Sequence, residues 1–495
     1  MISSKNSDST VDRNTVLPVS VLLVVTMAGC YSLIEPPSPK VDVPAAFSTK
    51  GKHDVPTRWW KVLGDTVLDN LVEASMEGNL DLMAAWDRLR QARATMDKSR
   101  SEFFPSINLS AGGERSINSV EGTGRVYSTD YSGGLSLSWE VDLWGRIKSG
   151  YYAASLDAEA RREDTRAAAM SLSGRVASAW YRIVELRGLL KILDNQEQTN
   201  RELVEIITLK FRKGDASATD VLQQKQVLES TEAARQRAAE NLELAVHALA
   251  ILLGREPGRY NAPEGEVFPE LPPMPGGGLP SDWIKARPDI RAAELRVRAA
   301  DNRTAEAIAD KYPKLTIGAN GQATSERIRN LLDNWIADLA ADLVAPLFDA
   351  GLREAEVARS RARSAELLHD YSGTLLTALG EVEDAVAREI RREKYLESLV
   401  KQKDLLKKTV NQVKINYLKG AESYVSFLTA LVSYQRLQTE CVTAHRELVD
   451  ARIELYRGLG RGWNVEEPTL PVRRVRGPAE RAASLLKPGK AEETE

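Results

Sequence analysis

The stretch 135–146, LSLSWEVDLWGR, most constrains the fold, because two incompatible periodicities meet inside it. Leu135, Leu137, Trp139, Val141 and Leu143 alternate with Ser136, Ser138, Glu140 and Asp142. That period of two gives a strand one apolar and one polar face. Gly145 breaks the alternation, and from Arg146 to about Arg212 there is no proline while apolar residues fall at helical spacing. A strand with an apolar face therefore feeds directly into a very long helix. The same junction returns near Pro346-Leu347-Phe348, where Gly351 releases a second long helix that ends at Leu418.

Upstream, apolar residues at Val67, Leu68, Leu71 and Val72, a break at Gly78-Asn79, and a second run from Leu80 to Arg100 predict a pair of helices. Phe103-Phe104-Pro105 starts a strand in which Ile107, Leu109 and Ala111 alternate with Ser106, Asn108 and Ser110, and residues 112–130, rich in Gly, Ser and Thr, read as a loop. The helix after Gly145 carries Val176, Ala179, Ile183, Leu186, Leu190 and Leu193 at the alternating steps of a coiled-coil seam. Gly214 ends it, and Thr219-Asp220 is expected to cap a second helix reaching Leu253, the two forming an antiparallel hairpin. Arg287-Pro288-Asp289 then opens a helix to Asp310, Tyr312-Pro313 starts a strand, 318–334 reads as a loop, and a further strand runs toward Phe348. The helix after Gly351 turns at 417–420, and a last one reaches Leu459.

Phe104-Pro105 matches Tyr312-Pro313, Gly145 matches Gly351, and 211–214 matches 417–420, at nearly constant separations. This identifies a duplicated unit. The expected organisation is an export signal over 1–29, an extended arm over 30–61, a first repeat over 62–254, a connection over 255–280, a second repeat over 281–460 and a disordered tail over 461–495.

Strands of about ten residues can cross a bilayer when tilted, whereas no segment after residue 29 has the roughly twenty apolar residues of a spanning helix. Strands enter lipid only as a closed barrel, and the smallest have about eight, so several copies must share one. A helix over 353–418 would be about 100 Å long, beyond any compact domain, and needs neighbours of equal length. The net charge of -3 lacks the basic excess of a nucleic-acid binder. His53, His247, His369 and His445 are far apart, and no zinc, phosphate-loop or hydrolase motif occurs, so no catalytic, metal or cofactor site is expected, and no enzyme. Cys441 reads as a packed helix residue.

Lys5 and Arg13, the apolar run 16–25 and small Ala28 and Gly29 make an export signal too short to span a membrane as a helix. Its ending, Met27-Ala28-Gly29-Cys30, resembles a bacterial lipoprotein signal, in which Cys30 becomes the lipid-bearing first residue, the site of palmitate. By that resemblance, Tyr31 in place of an aspartate favours the outer membrane.

Further motifs in order are Trp59-Trp60 before Leu68, Leu71 and Val72; Phe103-Phe104-Pro105; the run from Trp139 to Arg146; Arg287-Pro288-Asp289-Ile290; Pro346-Leu347-Phe348-Asp349; Glu381-Val382-Glu383-Asp384-Ala385; and Leu455-Tyr456, Leu459-Gly460 and Gly462-Trp463. In this order the chain resembles the TolC-like outer-membrane efflux family, in its lipoprotein branch, departing from it at Arg461 and in the charged tail. The resemblance implies a mainly α chain with a membrane β-barrel. Each chain would supply four strands and long coiled-coil helices in two repeats, and a homotrimer would form a 12-stranded barrel over a periplasmic helical barrel. It implies a passive exit duct for small molecules, working with a periplasmic adaptor and an inner-membrane transporter; the same architecture can serve a protein secretion system. It places the two hairpin turns at the periplasmic tip, where Glu422 and Asp215 are the candidates for an acidic pore constriction.

Overall fold

The computed structural model describes residues 41, 56–120, 122, 124–265, 267–275, 283, 286–460, 466 and 467. The export signal over 1–29 and Cys30, expected to carry the lipid, lie outside the described residues. After a 3₁₀ turn at Trp59–Leu63, helices α1 (Thr66–Gly78) and α2 (Leu80–Ser101) follow in succession. Asp65 caps α1 by accepting from the Val67 and Leu68 amides, and Asn79 both ends α1 and caps α2 through the Leu82 amide.

Strands β1 (Ser106–Val120) and β2 (Gly124–Val141) follow, then helix α3 (Arg146–Arg212) and its partner α4 (Ala218–Leu252). Helix α5 (Pro288–Ala309), strands β3 (Lys314–Ser325) and β4 (Trp335–Val344), helix α6 (Leu352–Leu418) and helix α7 (Tyr424–Leu459) come next. The duplication is metrical: α2 and α5 both have 22 residues, α3 and α6 both have 67, and α4 and α7 have 35 and 36.

The strands form one antiparallel sheet in the order β1-β2-β3-β4. The loop expected over 112–130 is instead strand, pairing from Gly112↔Ser132 to Val120↔Gly124. The loop expected over 318–334 is strand as far as Ser325. Alternation of apolar and polar residues marks a strand only where one face meets an apolar medium. Beyond that zone the ladder continues without a regular apolar-polar alternation, through pairs such as Ser116 and Ser128, whose hydroxyls lie 2.8 Å apart. The cap of α4 also differs from expectation: Ser217, not Thr219, accepts from the Asp220 amide at 3.1 Å, while Asp220 accepts from the Ser217 amide at 2.9 Å. Ser217 holds extended backbone, which aims its hydroxyl at the third helical amide.

Each long helix packs beside its hairpin partner, and α3 also packs on α5 and α7. The largest core gathers Trp59, Trp60, Trp180, Tyr181 and Tyr456 around the middle of α3. Trp180 donates to Asp65, the α1 cap, at 2.8 Å, and Trp59 stacks on Tyr456 with ring centres 5.7 Å apart. A second core joins Trp283 and Ile290 to Val382 and Leu455. It is closed by Arg287, which binds Asp289 and Glu381 and donates to the Gly458 carbonyl at 3.3 Å. This gives the Arg-Pro-Asp and Glu381 motifs a structural role. Cys441 is buried with Leu399, Leu437 and Ala444, as its helical context suggests.

Candidate functional site

The sheet has two chemically distinct faces. Residues opposite one another in an antiparallel ladder project to the same face. The register therefore collects Ile107, Leu109, Leu135, Leu137, Trp139, Val141, Leu315, Ile317, Leu339 and Leu343 on one face. The other face holds Ser106, Asn108, Ser136, Ser138, Glu140, Thr316, Asn320, Asp338 and Asp342, with Ile336 and Val344 as its apolar exceptions near the ends. Asp338 and Asp342 were not singled out from the sequence; the alternation Asp-Leu-Ala-Ala-Asp in β4 could have found them.

The strand-to-helix junctions are built for rigidity. Gly145 and Gly351 adopt φ of 75° and 87°, a left-handed turn that favours glycine. Asp142 accepts from the Ile147 and Lys148 amides at 3.2 and 2.8 Å, and Asp349 accepts from the Gly351 and Arg353 amides at 3.0 and 3.3 Å. These carboxylates satisfy amides that a helix start leaves open and sit favourably at the positive end of the dipole. Arg146 spans back to Glu140 with two bonds of 2.9 and 3.0 Å. Trp144 donates to the Pro313 carbonyl at 2.7 Å and stacks on Tyr312, tying the first junction to the start of β3.

At the far ends of α3 and α6 the chain reverses at Gly214 and Gly420, with φ of 82° and 75°. The Asp215 amide donates to the Lys210 carbonyl and the Ala421 amide to the Asn416 carbonyl, both at 2.9 Å, so the two turns are equivalent. Asp215 and Glu422 are both exposed, at the two separate turns, and among the described residues neither forms an ion pair. Behind the turns Tyr417, Tyr424 and Phe427 cluster, and the Lys210 ammonium lies 4.7 Å from the Tyr417 ring centre. Burial pushes the Tyr417 hydroxyl above its ordinary range, with Asp220 and Asp215 adding to the shift.

One feature above the turns escaped sequence reasoning. Asn200 of α3 donates to Thr231 at 2.9 Å, Gln435 of α7 donates to Asn200 at 3.1 Å, and Tyr424 donates to Gln224 of α4 at 2.5 Å, all buried. Gln196 adds a bond of 2.9 Å to the Gln435 carbonyl. This polar layer joins three helices, and amides at such positions fix register at some cost in stability. Among the described residues no helix is long and apolar enough to cross a membrane, and no His, Cys, Asp and Glu group could hold a metal.

The family profile described as outer membrane efflux protein matches residues 71–255 and 279–461. The pyoverdine export outer membrane protein OpmQ of Pseudomonas aeruginosa is 29% identical over 426 residues, covering 83% of this chain and 89% of that protein. Outer membrane protein OprJ of the same species is 28% identical, covering 91% of this chain and 97% of that protein. The structure of the outer-membrane channel OprN superposes with a TM-score of 0.79 at 27% identity, covering 87% of this chain and 99% of that one.

Proposed function

From the premise that this chain belongs to the outer membrane efflux protein family, and is the outer-membrane channel of an efflux pump, we propose that it works as a homotrimer. Three four-stranded sheets close one 12-stranded barrel, apolar face to lipid and polar face to water, above a periplasmic tunnel of the long helices. The observation that carries this reading is the pair of sheet edges. Among the described residues β1 and β4 each pair on one side only, and unpaired backbone in lipid would cost several kcal/mol per group. Beside β4, Leu347 and Phe348 are 95% and 89% exposed in the single chain, bare apolar surface that a neighbour would cover.

The cargo is small organic solutes delivered by an inner-membrane transporter through a periplasmic adaptor, in keeping with relatives named for pyoverdine export and toluene efflux. Glu422, with Asp215 in a lesser part, forms the acidic constriction at the tip, and Cys30 carries the lipid that anchors the arm in the outer membrane. The test of assembly is the mass of purified full-length protein in detergent, which should be three chains and should fall to one on boiling. A monomer before boiling would overturn the barrel. For the anchor, Cys30→Ala should abolish palmitate labelling while the barrel still inserts, because a single chain adds only marginal membrane binding. Unchanged labelling would remove the lipid from Cys30.

A further inference from the structure

We propose that the outward face of the β1–β2 hairpin carries a site for the phosphates of an anionic outer-leaflet lipid, built on Arg115 and Arg125. The inference rests on the barrel reading above, because it needs that face to be the lipid-facing one. Residue parity carries the argument. Arg115 shares its face of β1 with Ile107 and Leu109, and Arg125 shares its face of β2 with Leu135 and Leu137.

Depth follows from strand geometry. The step from Val141 to Tyr131 on β2 is about 33 Å along the strand at about 3.3 Å per residue. At a tilt of about 40° that is about 25 Å in height, the thickness of the apolar band of such barrels. Tyr131 thus stands where an interfacial aromatic girdle belongs. The next outward residue above it, Thr129, is paired with Arg115, which places Arg115 at headgroup level. Arg125, four residues further along β2, stands about 13 Å higher along the strand.

The Arg115 guanidinium lies 5.9 Å from the ring centre of Tyr127, itself exposed. Both arginines are exposed, and among the described residues neither has a carboxylate partner. Glu114 and Asp130 pair with each other on the opposite face. The β3–β4 turn folds over the outward face, with a Leu331 methyl 3.4 Å from where a Cβ on Gly133 would sit. It carries both signs, so it neither adds nor removes net charge. Guanidinium groups offer paired N–H donors that match phosphate oxygens, and a basic residue near a charged membrane surface is attracted to it.

The test uses the full-length protein in zwitterionic detergent, titrated with bis-phosphorylated lipid A, with its dephosphorylated form and with inorganic phosphate, bound lipid being counted by native mass spectrometry. The phosphorylated lipid should be retained in preference, and Arg115→Gln and Arg125→Gln should each weaken retention about fivefold, while Arg436→Gln, on α7 and away from the sheet, should not. Equal retention of the two lipids by the wild type, or unchanged retention by the double variant, would overturn the site. Displacement of the lipid by millimolar inorganic phosphate would also overturn it, assigning the arginines to free anions. A chain that shows no boiling-sensitive trimer defeats the barrel reading itself, and the site with it.

Discussion

Asp215 and Glu422 both follow a helix-ending glycine but stand one residue out of step, Asp215 directly after Gly214 and Glu422 second after Gly420. Equivalent turns therefore present their carboxylates differently, and only one need face the pore. Glu422→Gln is expected to lower cation selectivity in planar-bilayer recordings while leaving assembly intact, and Asp215→Asn to do so less. Unchanged ion preference in both would make them ordinary solvated turn residues. Asp450 supports a second prediction at this scale. Burial holds its carboxyl above the ordinary carboxylate range despite Arg446 beside it. A carboxyl raised in the folded state binds its proton more readily there than in the unfolded chain. The stability this confers is present at low pH and is lost as pH rises through the folded value. Asp450→Asn removes that titration, so its denaturant midpoint should gain on the wild type between pH 4 and pH 7. Parallel profiles would refute the assignment.

Among the elements, the strands allow the sharpest test. Leu137→Arg puts a charge on the apolar face at an expected cost of about 2 to 4 kcal/mol, whereas Ser138→Arg puts it in the aqueous lumen and costs little. A gel that resolves folded trimer by its sensitivity to heating should show loss of trimer in the first and not the second; equal tolerance would show that this assignment of the strand faces is wrong. The ends of the long helices were legible to within a residue because each is set locally, by Gly145 and Gly351 at the start and by Gly214 and Gly420 at the finish. Strand length was not, since the ladder continues past residue 112 on backbone hydrogen bonds that leave no apolar period behind. The amide layer of Asn200, Gln224 and Gln435 was hidden for a related reason: from sequence a buried glutamine within a heptad looks the same as an exposed one. Of the tip, glycines and acidic residues could be read in advance, while the Lys210–Tyr417 contact joins residues far apart in the chain.

For the whole molecule, an open-edged sheet and two hairpins whose long arms run about 100 Å have too little common interior to be a finished object. The proposed trimer supplies the missing neighbours. The equal length of α3 and α6, 67 residues each, then governs what meets a partner from below. In that trimer both turns of every chain would descend to nearly the same level, so three identical subunits would end in a rim of six nearly equivalent knuckles. A threefold object thereby offers a quasi-hexagonal docking stencil, and up to six copies of a periplasmic partner should bind one trimer, countable by native mass. Shortening α6 alone by two helical turns would leave alternate knuckles recessed by about 11 Å and should reduce that stoichiometry to three.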